Sequence, residues 1–369
     1  MASTGTIPKD FSLIYINDNL SVIENLPEEI LLKICTYLGL KDLGRCLQVS
    51  KGFSKISKDK KLWQRITLFR KEVPTEFIGQ ALTFGLKHLS VEECDLKCNL
   101  NTNMAMILDL YPKKNELKSL DFISHANYYH KGIQHVTALL KSCHSLEKLH
   151  FSEYYISDFN FPKCIAQNGQ TLMVLNLLKY QVRSHPGSVQ LIIDNCTELK
   201  ELALPWLKSV DFGFVCKKLT PKIRKLRIKT QSDNRLENDE YVEILTKRCH
   251  DLTVISLDAL VTNTSFASIV KNLPLSLEKL EFPWSPLNQK DMVEMLELRS
   301  MSKLELLCLS GRISIRDEEI KKKFFELNLP HLKVMFGGNT RDVMGIAIQE
   351  GKKQKSRLDL FRDISARDL

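Results

Sequence analysis

Glycine and proline are scarce in this chain, fifteen and twelve among 369 residues, and no low-complexity tract occurs. So little of either excludes a collagen-like or linker-like polymer, while 43% hydrophobic and 26% charged residues are enough to build a long core. No run of eighteen apolar residues is present, and the opening MASTGTIPKDFSLIYIND has neither a basic start nor a sustained apolar stretch, which argues against a membrane span and a secretory signal. Also missing are a GxSxG elbow, a glycine-rich phosphate loop, HExxH and any paired CxxC knuckle. The chain is therefore expected to be no enzyme, to hold neither metal nor cofactor, and to work in cytoplasm, nucleus or both. Of the net charge of +9, residues 24–70 hold ten Lys/Arg against five Asp/Glu and the rest is scattered, and runs such as Lys321-Lys322-Lys323 and Lys352-Lys353 lack interleaved aromatic residues, so neither nucleic acid nor membrane is an expected partner.

What is present is a repeated phrase. LKHLSV, LKSLDF, LEKLHF, LMVLNL, LKELAL, IRKLRI, LTVISL, LEKLEF, LELLCL and, more loosely, LKVMFG begin at Leu86, Leu117, Leu146, Leu172, Leu199, Ile223, Leu252, Leu277, Leu304 and Leu332. Successive starts are 24 to 31 residues apart, the period of a leucine-rich solenoid. Within each phrase the second and third apolar residues alternate with polar ones, as in a strand buried on one face. Upstream stretches such as GIQHVTALLKSC, PGSVQLIIDNC, DEYVEILTKRC and DMVEMLELRS carry apolar residues at three- and four-residue intervals, a helical period. Each unit is then one strand, a turn and one helix, stacked into a curved wall with a parallel sheet. Cys143, Cys196 and Cys249 each stand three residues before a phrase, and Cys94 stands five after Leu89, so these thiols read as turn-packing groups.

The third, fifth, seventh and eighth positions of each phrase should face the concave side. They include His88, Ser90, Glu92 and Glu93, then Lys148 and His150, then Lys225, Arg227, Lys229 and Thr230. Pro205-Trp206 and Pro283-Trp284 fall at the same place in two repeats. Tryptophan and arginine most often dominate protein interfaces, which makes Trp206, Lys225, Arg227, Lys229 and Trp284 the candidate substrate face. Two alternatives stand beside this: each Pro-Trp packs beneath its own loop, and the basic strand is a solvated surface.

The first 70 residues follow a helical period. In ENLPEEILLKICTYLGLKDLGRCLQVSKGFSKISKDKKLWQRITL, Pro27, Glu28 and Glu29 suit a first helical turn, and Ile30, Leu31, Ile34 and Leu38 form a stripe ended by Gly39. A second helix carries Leu43, Cys46 and Leu47, a third Val49, Phe53 and Ile56, and a fourth begins near Leu62-Trp63. Ile66–Leu68 reads as a capping strand, followed by a short helix from Phe77 to Leu82.

Leu26-Pro27-Glu28-Glu29-Ile30, Ile34, Tyr37-Leu38, Asp42-Leu43, Val49-Ser50-Lys51, Phe53 and Leu62-Trp63 match the F-box motif in order and spacing. Together with the repeats that follow, the chain resembles the F-box/leucine-rich-repeat proteins over nearly its whole length. The resemblance implies an α/β architecture in which a small helical F-box bundle precedes the solenoid. Its divisions would be a flexible extension over 1–23, the F-box over 24–68, about ten repeats over 69–340, and a cap or tail over 341–369.

It also implies a substrate receptor of an SCF-type ubiquitin ligase, its F-box held by a Skp-type adaptor, the adaptor by a cullin, and the cullin by a RING subunit. A protein substrate would sit on the solenoid and be tagged for proteasomal degradation. Adaptor contacts would fall on Leu26, Pro27, Glu28, Ile30, Leu31, Ile34, Leu38, Leu43, Val49 and Trp63, with Cys35 standing where the family often has a larger apolar residue. The alternatives are a scaffold or inhibitor that recruits no ligase, and a small-molecule receptor with a basic pocket inside the solenoid.

Overall fold

In the computed structural model, residues 23, 26–97, 116–123, 132–152, 160–177, 187–230, 235–258, 271–282, 303–310 and 333–337 are described. The chain begins with four short helices, α1 (Glu28–Cys35), α2 (Leu40–Val49), α3 (Lys51–Ser57) and α4 (Lys60–Trp63). Local chemistry sets their limits. The Pro27 carbonyl accepts from the Ile30 and Leu31 amides at 2.9 and 3.1 Å, and the Ser50 side chain accepts from the Phe53 amide at 3.2 Å, an N-cap that starts α3. That cap places Val49 at the end of α2 instead of in the third helix. The fourth helix ends at Trp63, where the sequence reading began it. Helix α1 stops at Cys35, and a tight turn, Tyr37 N–H to the Ile34 carbonyl and Leu38 N–H to the Cys35 carbonyl, both 3.1 Å, carries Leu38 back onto the bundle.

From α4 the chain passes directly into β1 (Arg65–Phe69), the first strand of an eleven-stranded sheet. The others, in sheet order, are β3 (His88–Glu92), β5 (Ser119–Ile123), β6 (Lys148–Ser152), β7 (Val174–Asn176), β8 (Glu201–Leu207), β9 (Lys225–Thr230), β10 (Val254–Asp258), β11 (Lys279–Phe282), β12 (Leu306–Ser310) and β13 (Lys333–Gly337). Every pairing is parallel. A second, two-stranded parallel sheet joins β2 (Glu72–Pro74) to β4 (Asp95–Lys97). Helices α5 (Thr75–Thr83), Gly132–Ser142, Phe161–Gln167, Ser188–Asn195, Ser209–Lys218 and Arg235–Arg248 alternate with the strands.

The register puts equivalent leucines side by side: Leu89, Leu120, Leu149, Leu175, Leu202, Leu226, Ile255, Leu280 and Leu307 form one continuous row, all of them buried. One repeat cannot cover such a residue, so each row is roofed by the repeats on either side. A parallel row of larger residues includes Phe122 and Phe151, stacked with centroids 5.5 Å apart, and Phe161 closes over Phe151 at 5.0 Å. Each fully buried leucine contributes about 1.5–3 kcal/mol of transfer free energy.

Polar groups stitch the edge where each strand begins. The amides of Lys118 and Ser119 share the Lys87 carbonyl, those of Glu147 and Lys148 share the Lys118 carbonyl, and the pattern continues through the stack. Hydroxyls just ahead of a phrase reach the preceding repeat, Thr171 to the Leu146 carbonyl at 2.9 Å and Ser276 to the Leu252 carbonyl at 3.0 Å. Gly169 is required by a close approach: a Cβ there would lie 2.4 Å from the Asn195 carbonyl oxygen.

The last phrase is shifted by one residue from its sequence assignment. Leu307 faces Val334 and Leu309 faces Phe336, whereas a phrase starting at Leu332 would have put Met335 opposite Leu307. The pairing with β12, and not the leucine that opened the reading, sets this register.

Candidate functional site

Helix α1 has apolar residues on two faces. Leu31 and Cys35, four residues apart, point into the bundle and are buried with Leu43, Ile56 and Trp63. Ile30 and Ile34, also four apart, lie on the opposite side and are 45% and 37% exposed, and Leu26 just ahead of the helix is 38% exposed. Val49 at the end of α2 adds 47% and Tyr37 81%. A bundle of about 40 residues encloses too little volume to bury every apolar side chain it carries, and these are the ones left outside.

The ten residues that the resemblance assigned to an adaptor contact divide accordingly. Leu26, Ile30, Ile34 and Val49 are exposed apolar groups, and Pro27 and Glu28 are exposed beside them. Leu38 is partly buried against the core. Leu31, Leu43 and Trp63 are buried inside and support the surface from beneath. Cys35 is equally buried, so its small size is a matter of bundle packing and not of a weakened surface contact. Glu28 is engaged within the chain by the Lys55 ammonium, an exposed pair that ties α1 to α3. The sequence reading omitted Ile23, 44% exposed, and Tyr37 from the surface; Tyr37 was visible in the motif, but only the turn after α1 turns its ring outward.

Trp63 couples this surface to the solenoid. Its indole N–H donates to the Ser57 carbonyl in α3, while its ring packs against Phe77 and Phe84, with centroids 6.3 and 5.1 Å away, from the first repeat unit. The next carbonyl, that of Gln64, accepts from the amides of Lys87 and His88 at 3.0 and 2.9 Å. Helical bundle and sheet therefore share one hydrophobic core.

The concave face presents the polar positions of successive strands. Near its start, Ser90 Oγ donates to Glu92 Oε1 at 3.0 Å, and His150 Nδ1 stands 4.0 Å from Asp121 Oδ1. Burial and the neighbouring Glu92 push the Asp121 carboxyl above its ordinary range, while burial and Arg65 hold His88 below its own. Further along, Lys225 Nζ pairs with Glu201 Oε1 across the strand boundary at 3.1 Å, and Lys229 sits in register with Asp258. Arg227, between the two lysines, is flanked in register by Ala203 and Ser256.

Pro205 and Trp206 fall where the pairing slips: Leu204 faces Ile228, but Leu207, not Trp206, faces Thr230. Proline has no amide hydrogen for the ladder, so a central strand holds it at a bulge. The eighth position expected for Trp206 is thus filled by Leu207, which is buried. Trp284 lies outside the described residues, as do the helix expected over DMVEMLELRS, residues 1–22 and the segment after residue 337.

Among the described residues no group of three or more His, Cys, Asp or Glu is placed to hold a metal ion, and no helix is long and apolar enough to cross a membrane. The Cys196 and Cys249 thiols are buried and raised by that burial, to about 12 and about 11, so they remain protonated packing groups. The Cys143 thiol donates to the Leu139 carbonyl at 3.1 Å, and that of Cys94 to the Glu92 carbonyl at 3.3 Å.

Residues 23–69 match the family described as F-box-like. Solved structures similar to this chain include the yeast Rad7–Elc1 complex, at 14% identity over 73% of this chain and 74% of that one with a TM-score of 0.44. Another is the internalin InlF of Listeria monocytogenes, at 14% identity over 71% of each chain and a TM-score of 0.43. A third is the leucine-rich-repeat protein LegL7 of Legionella pneumophila, at 13% identity over 73% and 88% and a TM-score of 0.40. The chain carries an F-box-like domain at its N-terminal end, continued by a leucine-rich-repeat solenoid.

Proposed function

We propose that this protein is the non-catalytic substrate receptor of an SCF-type ubiquitin ligase. In this reading the exposed face of the F-box-like domain docks on a Skp-type adaptor, which links it to a cullin and its RING subunit. The concave wall of the solenoid holds the protein to be ubiquitinated and degraded. The observation that carries the reading is the outward apolar group of Leu26, Ile30 and Ile34 at the first helix, with Val49 also exposed at the end of the second, on a segment that matches the F-box-like family. An exposed apolar cluster on a small domain is the expected footprint of a protein partner.

The shared core around Trp63 supports the second half of the proposal. Ubiquitin transfer needs the substrate held at a set distance from the conjugating enzyme, which is catalysis by positioning. A receptor achieves this only if its adaptor surface and its substrate surface move as one body.

The direct test is co-purification with a Skp-type adaptor, compared between the natural chain and Ile30→Asp/Ile34→Asp. Capture by the natural chain and loss in the variant, with unchanged melting, is expected. A natural chain that captures no adaptor would instead leave the solenoid as a scaffold or inhibitor that recruits no ligase.

A further inference from the structure

Arg227 differs from every other basic residue around it. It lies in the middle of β9 on the concave side, since its neighbours Leu226 and Ile228 are buried in the core, and it is only 8% exposed. A largely buried charge without a partner in the chain is costly to retain, and the guanidinium nitrogens keep only a narrow opening to solvent, since none is among the fully enclosed unpaired atoms. Yet among the described residues no hydrogen bond or ion pair reaches it.

The rungs on either side show what is missing. Two residues earlier along the strand, Lys225 has Glu201 across the strand boundary; two residues later, Lys229 has Asp258 in register. At Arg227 the corresponding neighbours are Ala203 and Ser256, neither of which can be an anion. The next acid along this rung, Glu281, is two strands away, about 10 Å at ordinary strand spacing, and is itself buried with no bond to Arg227. The sheet thus sets an acid in register with each flanking lysine and none with the arginine.

Resting on the receptor reading, we infer that Arg227 is the anchor for a client segment bearing an anionic side chain, a carboxylate or a phosphate, which completes the rung from outside the sheet. The planar fork of a guanidinium suits both groups, donating two parallel hydrogen bonds to either. Lys225 and Lys229 contribute attraction on approach, and Glu281 limits how much negative charge the rung accepts.

The test uses the full chain at about 0.15 M ionic strength, where diffuse surface attraction is screened. Three fluorescent peptides share one uncharged sequence and carry at the centre a tract of serine, of glutamate or of phosphoserine, with inorganic phosphate as competitor. The glutamate or phosphoserine peptide should bind and the serine peptide should not, and the stronger of the two anionic peptides identifies the anion.

Arg227→Gln should weaken binding at least about tenfold, as expected for loss of a desolvated charge contact. Arg227→Lys, which keeps the charge and loses the fork, should fall between. Lys225→Gln and Lys229→Gln should each cost about twofold, in line with exposed pairs, and Glu281→Gln should tighten binding. Melting of Arg227→Gln should be unchanged or raised, because an uncompensated buried charge has been removed.

Equal weakening by all three basic substitutions, or undiminished binding by Arg227→Gln, would overturn the inference. So would binding that emerges only after residues 338–369 are deleted, since the anion would then come from the chain itself. Adaptor capture measured on the same variants keeps the two proposals apart. Its retention with lost peptide specificity removes only the anchor, while its absence in the natural chain removes only the receptor reading.

Discussion

The solenoid and the helical segment treat the same kind of residue in opposite ways. In the solenoid Leu86, Leu117, Leu146, Leu172, Leu199, Leu226 and Leu280 are all buried without remainder, whereas in the helical segment Leu26, Ile30, Ile34 and Val49 stand well into solvent. The cause is geometric. A repeat receives cover from an identical neighbour on each side, so an apolar residue at a fixed position in the phrase is covered wherever the phrase recurs. Four short helices have no such neighbour, and their second apolar face stays open.

The sharpest way to break this contrast is a charge placed in each region. Leu226→Asp sets a carboxylate in the middle of the leucine row and should cost well above about 4 kcal/mol, the scale of an uncompensated buried charge, so that the central repeats no longer melt cooperatively. An unchanged melting curve would show that the row is not the core.

Trp63→Ala attacks the junction. Removal of a buried tryptophan should cost about 3–5 kcal/mol and let the helical segment melt separately from the solenoid, visible as a second transition in calorimetry. A single transition at the original temperature would mean that the two regions are coupled by something other than Trp63.

Ile30→Asp/Ile34→Asp should leave stability within about 0.5 kcal/mol, as for exposed positions, while adaptor affinity falls at least about thirtyfold, the scale of an interface hot spot. A fall in both would place these residues in the core after all.

The mildest expected effect concerns Asp121. Its carboxyl is raised in the folded chain, chiefly by burial, so the folded state favours the protonated form. That contribution is full below the unfolded value, is lost as pH rises through the folded one, and leaves a small penalty at neutral pH. Asp121→Asn should therefore melt slightly higher than the natural chain at pH 7, with the difference disappearing in acid. The reverse dependence would mean that a cation, Lys148 or Arg65, governs the site instead of burial.

Much of this architecture was legible in the residues. The helices at Gly132–Ser142, Ser188–Asn195 and Arg235–Arg248 follow from three- and four-residue apolar spacing, and β1 follows from the alternation of Ile66 and Leu68. The helices at Phe161–Gln167 and Ser209–Lys218 leave no clear helical period in the sequence, the first spanning barely two turns and the second setting Val210, Phe212 and Phe214 two residues apart. The final strand was read one residue late because HLKVMF offers two overlapping phrases, and only pairing with Leu307 and Leu309 chooses between them. The bulge at Pro205 had a visible cause in the proline itself, but its effect on Trp206 depends on where β9 pairs with it.

Sequence alone determined the period, the row of leucines and the order of helices and strands, because those depend on residues close together in the chain. Tertiary structure decided which apolar residues of α1 face outward, that Trp63 locks bundle to sheet, and that Lys225 has an acid beside it while Arg227 has an alanine. Each of these is a relation between residues brought together by packing and register, and spacing within one segment carries no record of what stands across from it.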